Sequence, residues 1–175
     1  YNNIDISYAN EKGILVCNVP SYSTNSVAQL VFSYILYFAN HVNVESKSVF
    51  DGKWCNCPDF MYMTTNQMEI ANKTLGIIGY GKIGKKIEQI ALAFGMNVII
   101  NSSTMTDDKK VVSKDELINK SVFIGINCPL TIETKDMVNK DFLSKMKKTA
   151  YLINTSRGPV VNENDLKEAL NNNVI

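Results

Sequence analysis

From Leu75 onward the apolar and polar residues alternate between two periods. Leu75-Gly76-Ile77-Ile78-Gly79 is an apolar run ending on glycine, the pattern of a buried strand feeding a tight turn. Between Gly81 and Phe94 the period lengthens. Ile83, Ile87, Ile90, Ala91 and Phe94 share one helical face, and Lys82, Lys85, Lys86, Glu88 and Gln89 share the other, with Gly95 placed as a C-terminal cap. Asn97 to Asn101, built on Val98-Ile99-Ile100, reads as a second strand. The alternation continues with a short helix over 114–119, a strand over 121–127, a helix over 140–147 and a strand over 150–154. A last helix, capped by Asn162, runs through Leu170. Short, almost continuously apolar strands separated by helices predict a parallel sheet covered on both faces, a doubly wound α/β domain.

The two ends of the chain break this rhythm. Gly13 to Val19 reads as a strand ahead of Pro20, followed by a helix that Ser23 or Thr24 is placed to cap. From Val27 to Ala39 that helix is apolar on nearly every side, so it is expected to be buried all round. Two covers are open: a central core position, or a second subunit of a homodimer. Residues 1–20 are expected to be the tail of a different, substrate-binding domain with its hinge, and 21–175 the doubly wound domain. The final helix runs out at Asn171-Asn172-Asn173, and Val174-Ile175 only begin a further strand. The domain is therefore expected to be incomplete at its C-terminal end.

Composition narrows the class further. A formal net charge of +1 without long basic runs argues against nucleic acid as a partner. The longest apolar stretch is interrupted by Gln29 and Ser33 and is too short to cross a membrane. Cys17, Cys55, Cys57 and Cys128 form no metal pattern, and the single histidine, His41, is far from them in sequence. They read as reduced cysteines of a cytoplasmic protein.

Gly79-Tyr80-Gly81-Lys82-Ile83-Gly84 matches G-x-G-x-x-G between a strand and a helix. Gly79 permits the turn, Gly81 lets backbone approach a pyrophosphate, and Gly84 lets helix and strand pack closely. The helix that follows opens with free N–H groups and the positive end of its dipole. These features predict a Rossmann domain binding a dinucleotide. An acid about twenty residues on would accept the ribose 2′-hydroxyl of NAD. That position is Ser102, flanked by the uncharged Asn101, Ser103 and Thr104, with Asp107 five residues late. A neutral Ser102 does not repel a 2′-phosphate, and Lys109 and Lys110 lie within loop reach. NAD and NADP both stay open.

Asn154-Thr155-Ser156-Arg157-Gly158 ends the fourth strand, on the edge where open α/β sheets bind ligands. The planar fork of Arg157 suits the carboxylate and keto oxygen of a 2-keto acid. With this segment in view, the chain resembles the D-isomer-specific 2-hydroxyacid dehydrogenases over essentially its full length. The resemblance rests on Tyr1-Asn2-Asn3-Ile4-Asp5, Gly13 through Pro20, Ser23 through Ala28, and Trp54 after Gly52. It continues through the glycine loop, Phe94 through Val98, Cys128-Pro129-Leu130-Thr131 with Thr134, and Leu152 through Asp165. The stretch from Asn18 to Ala28 looks most like the glycerate dehydrogenase (hydroxypyruvate reductase) branch.

The resemblance implies an oxidoreductase that moves a hydride between a nicotinamide cofactor and a small D-2-hydroxyacid/2-keto acid pair. It implies that Lys82 and Ile83 present N–H groups to the pyrophosphate and that Ser102 stands at the ribose-selecting position. Cys128, Pro129 and Thr134 would line the cofactor groove, Thr155 and Ser156 would lie by the nicotinamide, and Arg157 would be the catalytic arginine. The histidine acid and its glutamate are expected beyond Ile175, since His41 matches neither, so this chain alone is expected to be inactive. A non-catalytic, dinucleotide-responsive binding module of the same fold is the alternative. A methyl-donor site built on a similar glycine turn would leave Arg157 without a role.

Overall fold

A computed structural model of the chain describes residues 3–103 and 111–175. Three helices come first: α1 (Ile6–Glu11), α2 (Thr24–Asn40) and α3 (Val42–Phe50). The repeat follows as β1 (Thr74–Ile78), α4 (Lys82–Ala93), β2 (Asn97–Asn101), α5 (Lys114–Lys120), β3 (Phe123–Ile126), α6 (Lys140–Lys145), β4 (Tyr151–Asn154) and α7 (Glu163–Asn171). The four strands form one parallel sheet in the order β2-β1-β3-β4. The doubly wound architecture expected from the pattern is the one present.

Side-chain alternation along the strands builds two cores. Leu75, Ile77, Ile100, Phe123 and Ile153 turn to one face, where α2 and α4 supply Val31, Ile35, Ile87 and Ala91. Ile78, Ile99, Ile124 and Ile126 turn to the other, against Leu117 and Ile118 of α5 and Phe142 and Leu143 of α6. With both faces covered, the interior strand positions need an apolar residue or a glycine, and polar residues such as Thr74, Asn97, Asn101 and Asn154 stand only at strand ends. The helices on the second face begin where short polar side chains close their first turns. Ser113, Asn139 and Asn162 accept the backbone N–H of Glu116, Phe142 and Asp165.

Several expectations fail for physical reasons. Gly13 to Val19 is not a strand: among the described residues no strand lies beside it to share a ladder, and Leu15 is 88% exposed. The preceding α1, unforeseen, starts where Asp5 accepts the Tyr8 N–H. Within this chain a core position does not by itself bury α2 all round. Ala28, Val31, Phe32, Ile35 and Ala39 face the sheet, while Leu30, Tyr34 and Tyr37 form an exposed apolar stripe. Neither Ser23 nor Thr24 caps it through its hydroxyl; Thr24 Oγ1 instead donates to the Ser21 carbonyl at 3.2 Å. Val174 and Ile175 form no strand, and the Val174 N–H closes the end of α7 on the Ala169 carbonyl.

Glu88 is not on the solvent face of α4. It belongs to the inward stripe Gly84, Ile87, Glu88 and Ala91, and its carboxylate accepts the Tyr80 hydroxyl. Burial of a carboxylate requires such a partner. Burial, followed by the adjoining Glu88, pushes the Tyr80 phenol up to about 12.

Candidate functional site

In chain order β1 leads outward to β2, whereas β3 and β4 lie on its other side. The loops leaving β1 and β3 therefore part company, and a crevice opens at the C-terminal ends of the strands. Two cavities occupy it. One, of about 720 Å³, extends from Ile83 and the start of α2 to Thr155, Ser156 and Arg157. The other, of about 620 Å³, extends from Gly79 and Gly81 to Ser102 and Thr134. Asn127, Cys128 and Pro129, on the loop leaving β3, line both. The site is one groove crossing the ends of β2, β1, β3 and β4.

At the centre the backbone makes the walls. Gly79 has φ of +89°, and a Cβ there would meet backbone atoms of Asn127 and Cys128 at 2.6–2.8 Å. A Cβ on Gly84 would meet the Gly79 carbonyl oxygen at 2.5 Å, so only glycine lets α4 approach the turn this closely. Gly81 differs: a Cβ there would meet nothing within 4 Å and would stand in the groove itself. Gly81 is the N-cap of α4 and no side chain caps that end, so the first-turn N–H groups face open space.

On the β3 side, Cys128 is buried and its thiol is held above the usual range, chiefly by that burial. It presents a neutral wall. Thr134 lines the groove, but its hydroxyl is already engaged, donating to the Pro129 carbonyl and accepting from the Thr131 N–H, both at 2.7 Å. It holds the 129–134 loop in shape.

On the β4 side, Asn154 organises the turn. Its Oδ1 accepts from the Ser156 N–H and hydroxyl, and its Nδ2 donates to the Arg157 carbonyl at 2.8 Å. Arg157 is exposed at the mouth of the larger cavity, with Nη1 donating to the Ser156 carbonyl. Lys82 lies off the main groove, where Nζ donates to Ser21 Oγ at 2.6 Å and ties residues 18–23 to the glycine loop.

The structure thus brings Gly79, Gly81, Ile83, Ser102, Cys128, Pro129, Thr134, Thr155, Ser156 and Arg157 to one groove, with Gly84 as packing beneath it. Thr104, Asp107, Lys109 and Lys110 lie outside the described residues. Sequence reasoning passed over Asn127, although a polar residue closing the apolar run Phe123–Ile126 is a signal of a strand end that faces something polar. It also missed Lys114, which shares the cavity with Ser102, because nothing local marks a lysine at a helix start. Among the described residues no cluster fit to hold a metal ion occurs, and no helix is long and apolar enough to cross a membrane.

Comparison with known proteins agrees with this geometry. Residues 32–175 match the family described as D-isomer specific 2-hydroxyacid dehydrogenase, NAD binding domain. A hydroxypyruvate reductase of Blautia hydrogenotrophica is 40% identical over 98% of this chain and 55% of its own length. D-lactate dehydrogenase from Aquifex aeolicus, solved with NAD and lactic acid, superposes with a TM-score of 0.85 at 35% identity, over 100% of this chain and 53% of that one. An acyclic imino acid reductase (Bsp5), solved with NADPH and D-Arg, gives a TM-score of 0.84 at 32% identity over 100% of this chain and 56% of that one. The chain spans about half the length of the curated relatives it matches.

Proposed function

The chain belongs to the D-isomer-specific 2-hydroxyacid dehydrogenase family, and from that premise we propose that it forms the cofactor half of an enzyme interconverting a small D-2-hydroxyacid and its 2-keto acid. A glycerate/hydroxypyruvate-like pair is the substrate class we favour, since hydroxypyruvate reductases are among the most similar relatives. The observation that carries the proposal is the single groove with open space over Gly81 at its centre and Arg157 at one end.

The residues fit a nicotinamide dinucleotide. The space above Gly81 and the free N–H groups of Lys82 and Ile83 suit a pyrophosphate, stabilised by the α4 dipole. Ser102 stands at the adenosine ribose without a charge, so NAD and NADP are both compatible, and Lys114 on the same wall favours the added phosphate. When bound, the nicotinamide supplies or accepts the hydride. Arg157 would neutralise and orient the substrate carboxylate, holding the keto carbon toward Thr155 and Ser156. The neutral Cys128 thiol and Pro129 keep that wall free of competing charge. The proton for the substrate oxygen would come from a histidine outside these 175 residues, because His41, at the α2–α3 junction, lines neither cavity.

We read residues 1–20 as part of the substrate-binding domain, as the apolar, exposed Leu15 and Val19 favour. Residues 21–175 form the nucleotide-binding domain. The exposed stripe Leu30, Tyr34 and Tyr37 favours a homodimer through α2, and the free cysteines favour a cytoplasmic setting. Fluorescence titration with NADH and NADPH tests the cofactor reading: saturable binding is expected for one or both. No turnover of hydroxypyruvate or glyoxylate is expected from these residues alone, and measurable turnover would refute the external acid.

A further inference from the structure

Asn127 follows the last residue of β3, and neither Oδ1 nor Nδ2 of its buried carboxamide has a partner among the described residues. Thr155 occupies the equivalent place after β4, one register step beyond the Ile126–Asn154 pair, and its Oγ1 is also buried and unpartnered. Both residues line the larger cavity. Three buried polar atoms left without partners are costly unless something in the groove completes them.

Strand order says which part of a dinucleotide passes there. The pyrophosphate belongs over the glycine loop after β1, and Arg157 follows β4. β3 lies between them. Whatever joins the pyrophosphate to the reacting ring must cross the end of β3, and on a nicotinamide dinucleotide that link is a ribose.

The chemistry of the unpaired atoms selects the same group. A carboxamide offers N–H donors on one atom and an acceptor on the other, and the threonine hydroxyl offers both. A phosphate or carboxylate only accepts and would leave Asn127 Oδ1 unsatisfied. A vicinal diol donates and accepts at both oxygens. We propose that Asn127, supported by Thr155, is the subsite for the nicotinamide-side ribose diol and fixes the ring's reach toward Arg157. This proposal rests on the dinucleotide reading above.

The test is a binding comparison on Asn127→Leu, with Asn127→Ala and Thr155→Val as further variants. Leucine matches the native volume and removes both polar atoms. If Asn127 serves the ligand and not the fold, the ligand-free melting temperature is unchanged or higher. NADH and ADP-ribose should each lose about tenfold in affinity, with ADP, which lacks this ribose, within about twofold of wild type. An equal loss for all three ligands, or none for any, would overturn the proposal. So would a loss for NADH alone, which would assign Asn127 to the nicotinamide carboxamide. If the unsubstituted protein binds neither NADH nor ADP, the dinucleotide reading itself falls; if it binds both and Asn127→Leu changes nothing, only this subsite does. Asn127→Ala gives the same comparison should leucine disturb the fold.

Discussion

The two walls of the groove are made from different materials. Over β1 the wall is backbone, and every shape there is set by an absent side chain: Gly79 beneath Asn127 and Cys128, Gly84 beneath the turn, Gly81 toward the open groove. Beyond β3 and β4 the wall is side chain, and several of its polar atoms lack partners. Backbone walls are paid for by the fold, so they persist with or without ligand. Side-chain walls stand at a cost that a ligand removes. Mutations should separate the two kinds of wall, losing stability on one side and affinity on the other.

The largest effect is expected where the backbone wall is breached. Gly79→Ala forces a Cβ onto the β3 loop in a conformation that L residues avoid, and about 3 kcal/mol of unfolding free energy should be lost. Urea denaturation reads this directly, and a loss below about 1 kcal/mol would mean the β3 loop simply moves aside. Gly81→Ala divides the wall itself. Its backbone is extended with φ of −84° and no atom is met, so stability should change by less than about 1 kcal/mol while dinucleotide affinity falls about tenfold. Unchanged affinity in that variant would remove the pyrophosphate from this position.

Side chains lining the groove, at the end of β2 as well as beyond β3, have effects that concern choice. Ser102→Asp should lower NADPH affinity relative to NADH by about tenfold, because a carboxylate repels the 2′-phosphate and accepts the free hydroxyl. Equal effects on both ligands would place the ribose elsewhere. Cys128 gives the smallest effect and a pH dependence. Burial raises its pKa, so at a given pH less thiolate is present than for an ordinary thiol, and reaction follows thiolate. Alkylation should be slower than at the exposed Cys17 and Cys55 and should keep rising to higher pH than for a free thiol. A dinucleotide should slow it further.

The same contrast explains what could be read from the sequence. Glycines that serve a backbone wall leave a pattern, and Gly79-Tyr80-Gly81-Lys82-Ile83-Gly84 with its flanking strand and helix carried the fold and half of the site. Arg157 is legible because its segment ends a strand on the ligand edge of the sheet and shares the family resemblance; alone, an arginine beside a Gly-Pro turn reads as surface. Asn127 and Lys114 were not found, since their meaning depends on strand order and on which neighbours they lack. Glu88 was misplaced because its inward position depends on Tyr80, eight residues away. Gly13 to Val19 had the composition of a strand, but pairing is a property of two segments, and a one-dimensional pattern does not show the second.

The order β2-β1-β3-β4 also sets when the groove comes into being. Leu75 must find Phe123 across the whole α4–β2–α5 excursion before β1 and β3 can pair. Such non-local contacts form late, and folds rich in them take milliseconds to seconds. The crevice exists only once that pairing is made. A bound nucleotide therefore recognises the finished sheet and no earlier species, and its influence on kinetics should fall on the escape rate from the native state, leaving the rate of arrival almost untouched.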